Sequence, residues 1–219
     1  MTHLVDELKK EKLVAIIRGI AYKDGEATAR ALKDGGITFL EVTLNTDNAL
    51  QLIEDLNVQF DGELIVGAGT VLNVHMAKEA VAAGATYLVS PNLDEAVIEY
   101  GVSCDVDVWP GTLTPTEIVR AFELGASAVK VFPIGAVGDD YLKNIRGPLP
   151  HIPMMVTGGV TLNNMIHFFS QGAVAVGLGS NLVNNTLIAK GEFSQITAMA
   201  KKYSELVNGG LAHDSLTKY

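Results

Sequence analysis

The sequence predicts a single (β/α)8 barrel of the TIM type spanning residues 1–219, and two patterns predict it. One is a repeated helix–glycine–strand unit. The other is the even spacing of eight apolar strand ends along the chain.

Four segments open on a glycine and run into β-rich sequence: GITFLEVTL from Gly36, GATYLVSP from Gly84, GASAVKVFP from Gly125 and GAVAVGLGS from Gly172. Helical patterns precede them, such as MAKEAVAA (Met76 to Ala83) and EIVRAFEL (Glu117 to Leu124). A glycine just past a helix can take the left-handed cap conformation, and the apolar run after it reads as a buried strand. Four more runs fill the gaps: LVAIIR (Leu13 to Arg18), LIVGAG (Leu64 to Gly69), SCDVDVWP (Ser103 to Pro110) and MMVTGG (Met154 to Gly159). The eight strand ends fall near residues 18, 44, 69, 90, 110, 133, 158 and 179, the rhythm of short βα repeats. An open doubly wound sheet uses the same units, but it has about five or six strands and a glycine-rich nucleotide turn after the first. The stretch RGIAYKDGEA after the first strand lacks that turn. The residues before Leu13 are expected to form an extra helix at the bottom of the barrel.

Composition limits the partners. Of the 219 residues, 48% are hydrophobic and 19% charged, which suits a packed core. A net charge of -9 argues against nucleic acid or an anionic membrane as a general partner. Cys104 is the only cysteine, so no internal disulfide can form, and it is expected to pack within the Ser103–Pro110 strand. The start MTHLVDELKKE lacks a signal-peptide core and no run is long enough to span a bilayer, so the expected location is cytoplasmic.

In such a barrel, side chains alternate between interior and helix layer, and chemistry sits at the C-terminal ends of the strands. If Val129 and Val131 face helices, Lys130 and Phe132 point inward. The same rule turns Glu41 inward between Leu40 and Val42, and Arg18 inward beside Ile17. Ala68 and Thr70 share a face at the end of their strand, so a lysine, a glutamate, an arginine and a threonine are expected at one mouth. Gly67, Ala68, Gly69, Gly158 and Gly159 would leave space there for a ligand.

A buried Lys130–Glu41 pair could be purely architectural. Such pairs stabilise weakly because desolvation offsets attraction, which favours a chemical role. Burial disfavours an ammonium, so an inward lysine can present a free amine to a ketone and form a Schiff base, an electron sink for breaking a neighbouring carbon–carbon bond. Glu41 could move the protons. No metal and no cofactor is needed for this chemistry. His3, His75, His151, His167 and His213 are read on the N-terminal segment, a helix start, a pre-strand loop, a helix and the C-terminal tail, none beside a carboxylate at a strand end, so no metal site is expected. TGGVTLNN (Thr157 to Asn164) and GLGSNLV (Gly177 to Val183) suggest a phosphate site, because glycines before a helix start present backbone N–H groups and a positive dipole end. Trp109 ends its strand near the mouth, either lining the pocket or capping the barrel.

AIIRG, LEVTLNT, GAGTVL, VSPN, VKVFP, TGGV and GLGS occur in order along the chain, and as a set they resemble the 2-keto-3-deoxy-6-phosphogluconate aldolase family of class I aldolases. The resemblance implies a homotrimeric barrel cleaving a phosphorylated keto acid to pyruvate and glyceraldehyde 3-phosphate, or 4-hydroxy-2-oxoglutarate to pyruvate and glyoxylate. It implies Lys130 as Schiff-base residue and Glu41 as acid/base. Thr70 would hold the pyruvyl carboxylate, Pro91 and Phe132 would form apolar walls, and Gly158, Gly159, Gly179 and Ser180 would bind phosphate. Many gluconate-type members carry an arginine where this chain has Asn45; Arg18 could replace it as the carboxylate clamp, as in galactonate-type members. Two other readings use the same barrel: a phosphosugar isomerase or epimerase, and a silent binding module for phosphorylated acids.

Overall fold

In a computed structural model, which describes residues 4–214, the apolar runs become strands β1 (Leu13–Ile17), β2 (Phe39–Thr43), β3 (Ile65–Gly69), β4 (Tyr87–Val89), β5 (Asp107–Trp109), β6 (Gly111–Thr112), β7 (Val129–Val131), β8 (Met154–Thr157) and β9 (Ala175–Leu178). All pairings are parallel, in the order β5-β4-β3-β2-β1-β9-β8-β7-β6. β5 and β6 stand at opposite ends of that order yet are separated in sequence by Pro110 alone, so the ring closes through one broken strand. Proline has no N–H to continue a ladder. The pairing with β4 therefore ends at Trp109, while the Pro110 carbonyl accepts from Lys130 N at 2.9 Å and starts the pairing with β7. This corrects the expected Ser103–Pro110 strand: its first residues belong to a helix end and its last stave runs on past the proline.

Helices α1 (Leu4–Glu11), α2 (Gly25–Asp34), α3 (Ala49–Phe60), α4 (Val74–Ala82), α5 (Glu95–Ser103), α6 (Pro115–Glu123), α7 (Tyr141–Arg146), α8 (Met165–Ser170), α9 (Asn185–Ala189) and α10 (Phe193–Asp214) occupy the crossovers and ends. The glycines that mark the repeat, Gly36, Gly84, Gly125 and Gly172, all have φ between 85° and 101°, the left-handed exit the sequence pattern requires. α6 starts on a capping box: the Thr114 hydroxyl accepts from Glu117 N, and the Glu117 carboxylate accepts from Leu113 N and Thr114 N at 2.9 and 2.8 Å.

Two apolar clusters follow the strand alternation. Leu40, Val42, Ala68, Val129 and Val131 pack in the layer between barrel and helices. Phe39, Tyr87, Trp109, Ala128, Met155 and Ala175 fill the interior, where α1 closes one end with Val5 and Leu8. Leu4 N donates to Asp107 Oδ2 at 2.8 Å and ties that helix to β5. The extra helix is thus where the sequence put it, with residues 1–3 outside the described range.

Trp109 is fully buried, stacks on Tyr87 at 4.2 Å and donates its indole N–H to Ser127 Oγ at 3.1 Å, so it fills the barrel interior. Cys104 is exposed at the end of α5 and not in the core, because the strand begins only at Asp107. His213 falls within α10 and not in a tail, and His3 lies outside the described residues. Among the described residues no helix is long and apolar enough to cross a membrane.

Candidate active site

Lys130 points into the barrel because its neighbours Val129 and Val131 are claimed by the helix layer. Its Nζ lies 3.9 Å from Glu41 Oε1, with the two side chains 4% and 0% exposed. The ammonium also sits 5.2 Å from the Phe132 ring centroid, where the face of the ring favours a cation. Both Glu41 carboxylate oxygens lack a hydrogen-bond partner among the described residues. A buried carboxylate without donors is costly, so this one is placed for something other than stability.

Gly69 makes room for it. A Cβ on Gly69 would stand 2.0 Å from Glu41 Oε1, and one on Gly67 would meet the Tyr87 ring at 2.5 Å. The two glycines are therefore the interior positions of β3, and Ala68 faces the helices instead of the mouth. Strict alternation would send Thr70 outward with Ala68. Its left-handed backbone, φ 58°, breaks the alternation at the strand end, and its Oγ1 comes to 3.4 Å from Arg18 Nη2. The predicted threonine thus comes beside Arg18 by a route the period-two rule does not contain, though it is not among the residues that line the neighbouring cavity.

Above Lys130 opens a cavity of about 630 Å³, lined among others by Ile16, Arg18, Lys130, Phe132 and Thr157. Gly158, Gly159, Gly179 and Ser180 form one side of it. Gly158 and Gly159 have φ of 86° and 95°, and Asn181 Nδ2 donates to the Val160 carbonyl at 2.7 Å, joining the two glycine loops. The helix ends contribute less than expected: α8 begins only at Met165, and the Thr186 and Leu187 N–H groups of α9 are already capped by Asn184 Oδ1.

Asn45 is exposed in the loop after β2 and Pro91 has its backbone against Gly111; neither lines the cavity. Three residues absent from the sequence-based set belong to the site's frame. Thr157 is buried at the end of β8, its hydroxyl without a hydrogen-bond partner among the described residues, and the alternation with Val156 could have found it. Asn185 Nδ2 donates to the Arg18 and Gly19 carbonyls at 2.9 and 3.2 Å, while Thr46 Oγ1 accepts from Gly19 N at 2.9 Å. These clamps fix the turn that carries Arg18, and nothing local in the sequence marks Asn185.

A family model described as "Aldolase: KDPG and KHG aldolase" matches residues 4–199. The chain belongs to the KDPG and KHG aldolase family. As an aldolase it is a lyase. This aldolase is 34% identical over 208 residues to the 2-dehydro-3-deoxy-phosphogluconate aldolase of Treponema pallidum, covering 94% of this chain and 99% of the relative. It is also 34% identical over 199 residues to the 2-dehydro-3-deoxy-6-phosphogalactonate aldolase of Escherichia coli K12, covering 90% and 97%. A KDPG aldolase from Legionella pneumophila, solved with pyruvate captured at low pH as a covalent carbinolamine intermediate, superposes with TM-score 0.86 at 29% identity, over 91% of this aldolase and 97% of that one.

Proposed function

We propose that the chain is a Schiff-base aldolase that cleaves 2-keto-3-deoxy-6-phosphogluconate to pyruvate and glyceraldehyde 3-phosphate, or 4-hydroxy-2-oxoglutarate to pyruvate and glyoxylate, with Lys130 as nucleophile and Glu41 as proton carrier. The observation that carries this reading is the Lys130 amine, which lines a cavity and lies 3.9 Å from a buried carboxylate with no hydrogen-bond partner among the described residues.

Lys130 Nζ adds to the ketone carbon to give a carbinolamine, and loss of water leaves a protonated imine. Glu41 then takes the proton of the C4 hydroxyl, the C3–C4 bond breaks, and its electron pair moves into the imine to form an enamine as the aldehyde departs. Glu41 returns its proton to C3, and water hydrolyses the imine to free pyruvate and Lys130. Arg18 and Thr70, 3.4 Å apart, are matched to the keto-acid carboxylate, and Phe132 to its apolar flank. Gly158, Gly159, Gly179 and Ser180 are matched to the distal phosphate.

A second reading differs only in the sugar epimer. Arg18 lines the cavity and Asn45 does not, the pattern expected of a galactonate-type enzyme, and the Escherichia coli galactonate aldolase is among the relatives. Cleavage rates on the two epimers decide between them.

Borohydride added with pyruvate should leave a pyruvyl adduct on Lys130 of the intact protein and none on Lys130→Ala. Wild type that stays unmodified while interconverting phosphosugars would replace the aldolase reading by an isomerase. A homotrimer in the cytoplasm is the assembly and location we attach to this reading, on the family resemblance; light scattering of the purified chain tests the former.

A further inference from the structure

The barrel interior holds one more titratable group that the reaction above does not use. Tyr87 projects inward from β4, is fully buried, and has no hydrogen-bond partner for its hydroxyl among the described residues. A buried phenol normally finds a partner. Gly67 and Gly69, successive interior positions of β3, explain where Tyr87 lies: its ring covers the first and the Glu41 carboxylate covers the second. Glu41 and Gly67 are also register partners, so the tyrosine crosses β3 towards the strand that carries Glu41. Among the described residues, a donor and a carboxylate that both lack a hydrogen-bond partner are thus buried on the same side of β3, with no direct hydrogen bond between them. A water held by two such groups satisfies both.

We infer that Tyr87 is a positioning residue for Glu41, its hydroxyl donating through one buried water to the Glu41 carboxylate. The phenol suits a donor. Burial pushes it well above its ordinary value and the charge of Glu41 pushes further, so it keeps its proton. The other ionisable groups that face the barrel interior are Lys130 from β7 and Asp107 from β5, the latter engaged with Leu4 N. Arg18 stands at the mouth, and α1 offers only Leu4, Val5 and Leu8.

This inference rests on Glu41 serving as proton carrier in the proposed aldolase. A donor to a carboxylate favours its charged form, so removing the donor makes Glu41 easier to protonate. Tyr87→Phe keeps the ring stacked on Trp109 and removes only the hydroxyl. We expect it to move the acidic limb of kcat/KM up by about one pH unit, a tenfold loss on the acid side. KM on the plateau should stay within about threefold, and borohydride trapping of pyruvate should persist. Fluorotyrosine placed at position 87, a stronger donor of the same shape, should move the limb the opposite way. An unmoved limb in both variants overturns the inference while trapping upholds the aldolase; a uniform loss at all pH values with a lower melting temperature also overturns it, as it marks mere packing. Absence of trapping in the wild type overturns both.

Discussion

Lys130 Nζ and Glu41 Oε1 are 3.9 Å apart inside a closed ring of strands, and the pair is almost wholly removed from solvent. Two opposite charges so placed compensate each other's desolvation, and losing one leaves the other stranded. Lys130→Ala should therefore cost about 3–5 kcal/mol at neutral pH, whereas the double variant Lys130→Ala with Glu41→Gln should recover most of it. Urea unfolding of the singles and the double measures the coupling. Equal losses in the double and in Lys130→Ala would mean that Glu41 carries no buried charge.

Glu41→Gln keeps the side chain's shape and removes its proton traffic. Imine formation with pyruvate should survive, while kcat falls by about 10²–10⁴. Single-turnover kinetics against borohydride trapping separates the two steps. Full cleavage activity in this variant would assign proton transfer elsewhere.

Gly69→Ala drives a methyl group to within 2.0 Å of the Glu41 carboxylate. Overpacking of this kind costs about 1–3 kcal/mol, and here the group that must give way is the proton carrier. We expect a loss of kcat larger than the loss of stability explains, read by kinetics at a temperature where the variant is folded.

Gly159→Ala meets both a left-handed backbone, φ 95°, and the Gly135 backbone 3.1 Å from the new Cβ. If this loop holds the distal phosphate, KM for the phosphorylated keto acid should rise at least about tenfold, and 4-hydroxy-2-oxoglutarate, which has no phosphate, should be far less affected. Equal effects on both substrates would remove the loop from phosphate binding.

The capping box of α6 supplies a pH-dependent term. The Leu113 N–H, helped by Thr114, holds the Glu117 carboxyl below its ordinary value. A carboxyl held low in the folded state stabilises fully above the unfolded range and loses that contribution as pH falls through the folded value. Glu117→Ala should therefore lose about 1 kcal/mol at neutral pH, a drop of about 2–4 °C in melting temperature. The gap from wild type should narrow as pH falls below the ordinary carboxylate range and through the lower folded-state value, as thermal melts across pH would register.

The sequence by itself determined the αβ repeat, the inward Lys130 and Glu41, and the glycine loops after the last two strands. These are consequences of local periodicity: a helix exit that needs glycine, and a strand whose side chains alternate every second residue. Only the tertiary structure decided what alternation cannot encode. The closing stave runs through Pro110 because proline's missing N–H hands the ladder from one neighbour to the other. Thr70 comes to 3.4 Å from Arg18 through a left-handed bend, where a period-two reading would turn it outward. Cys104 leaves the core because α5 runs to Ser103 and the strand starts only at Asp107. The clamp of Asn185 on Arg18 joins residues 167 positions apart, and the room for Tyr87 and for Glu41 depends on two interior glycines of the strand between them. Such contacts are set by barrel closure and by space across strands, and no window of neighbouring residues contains either.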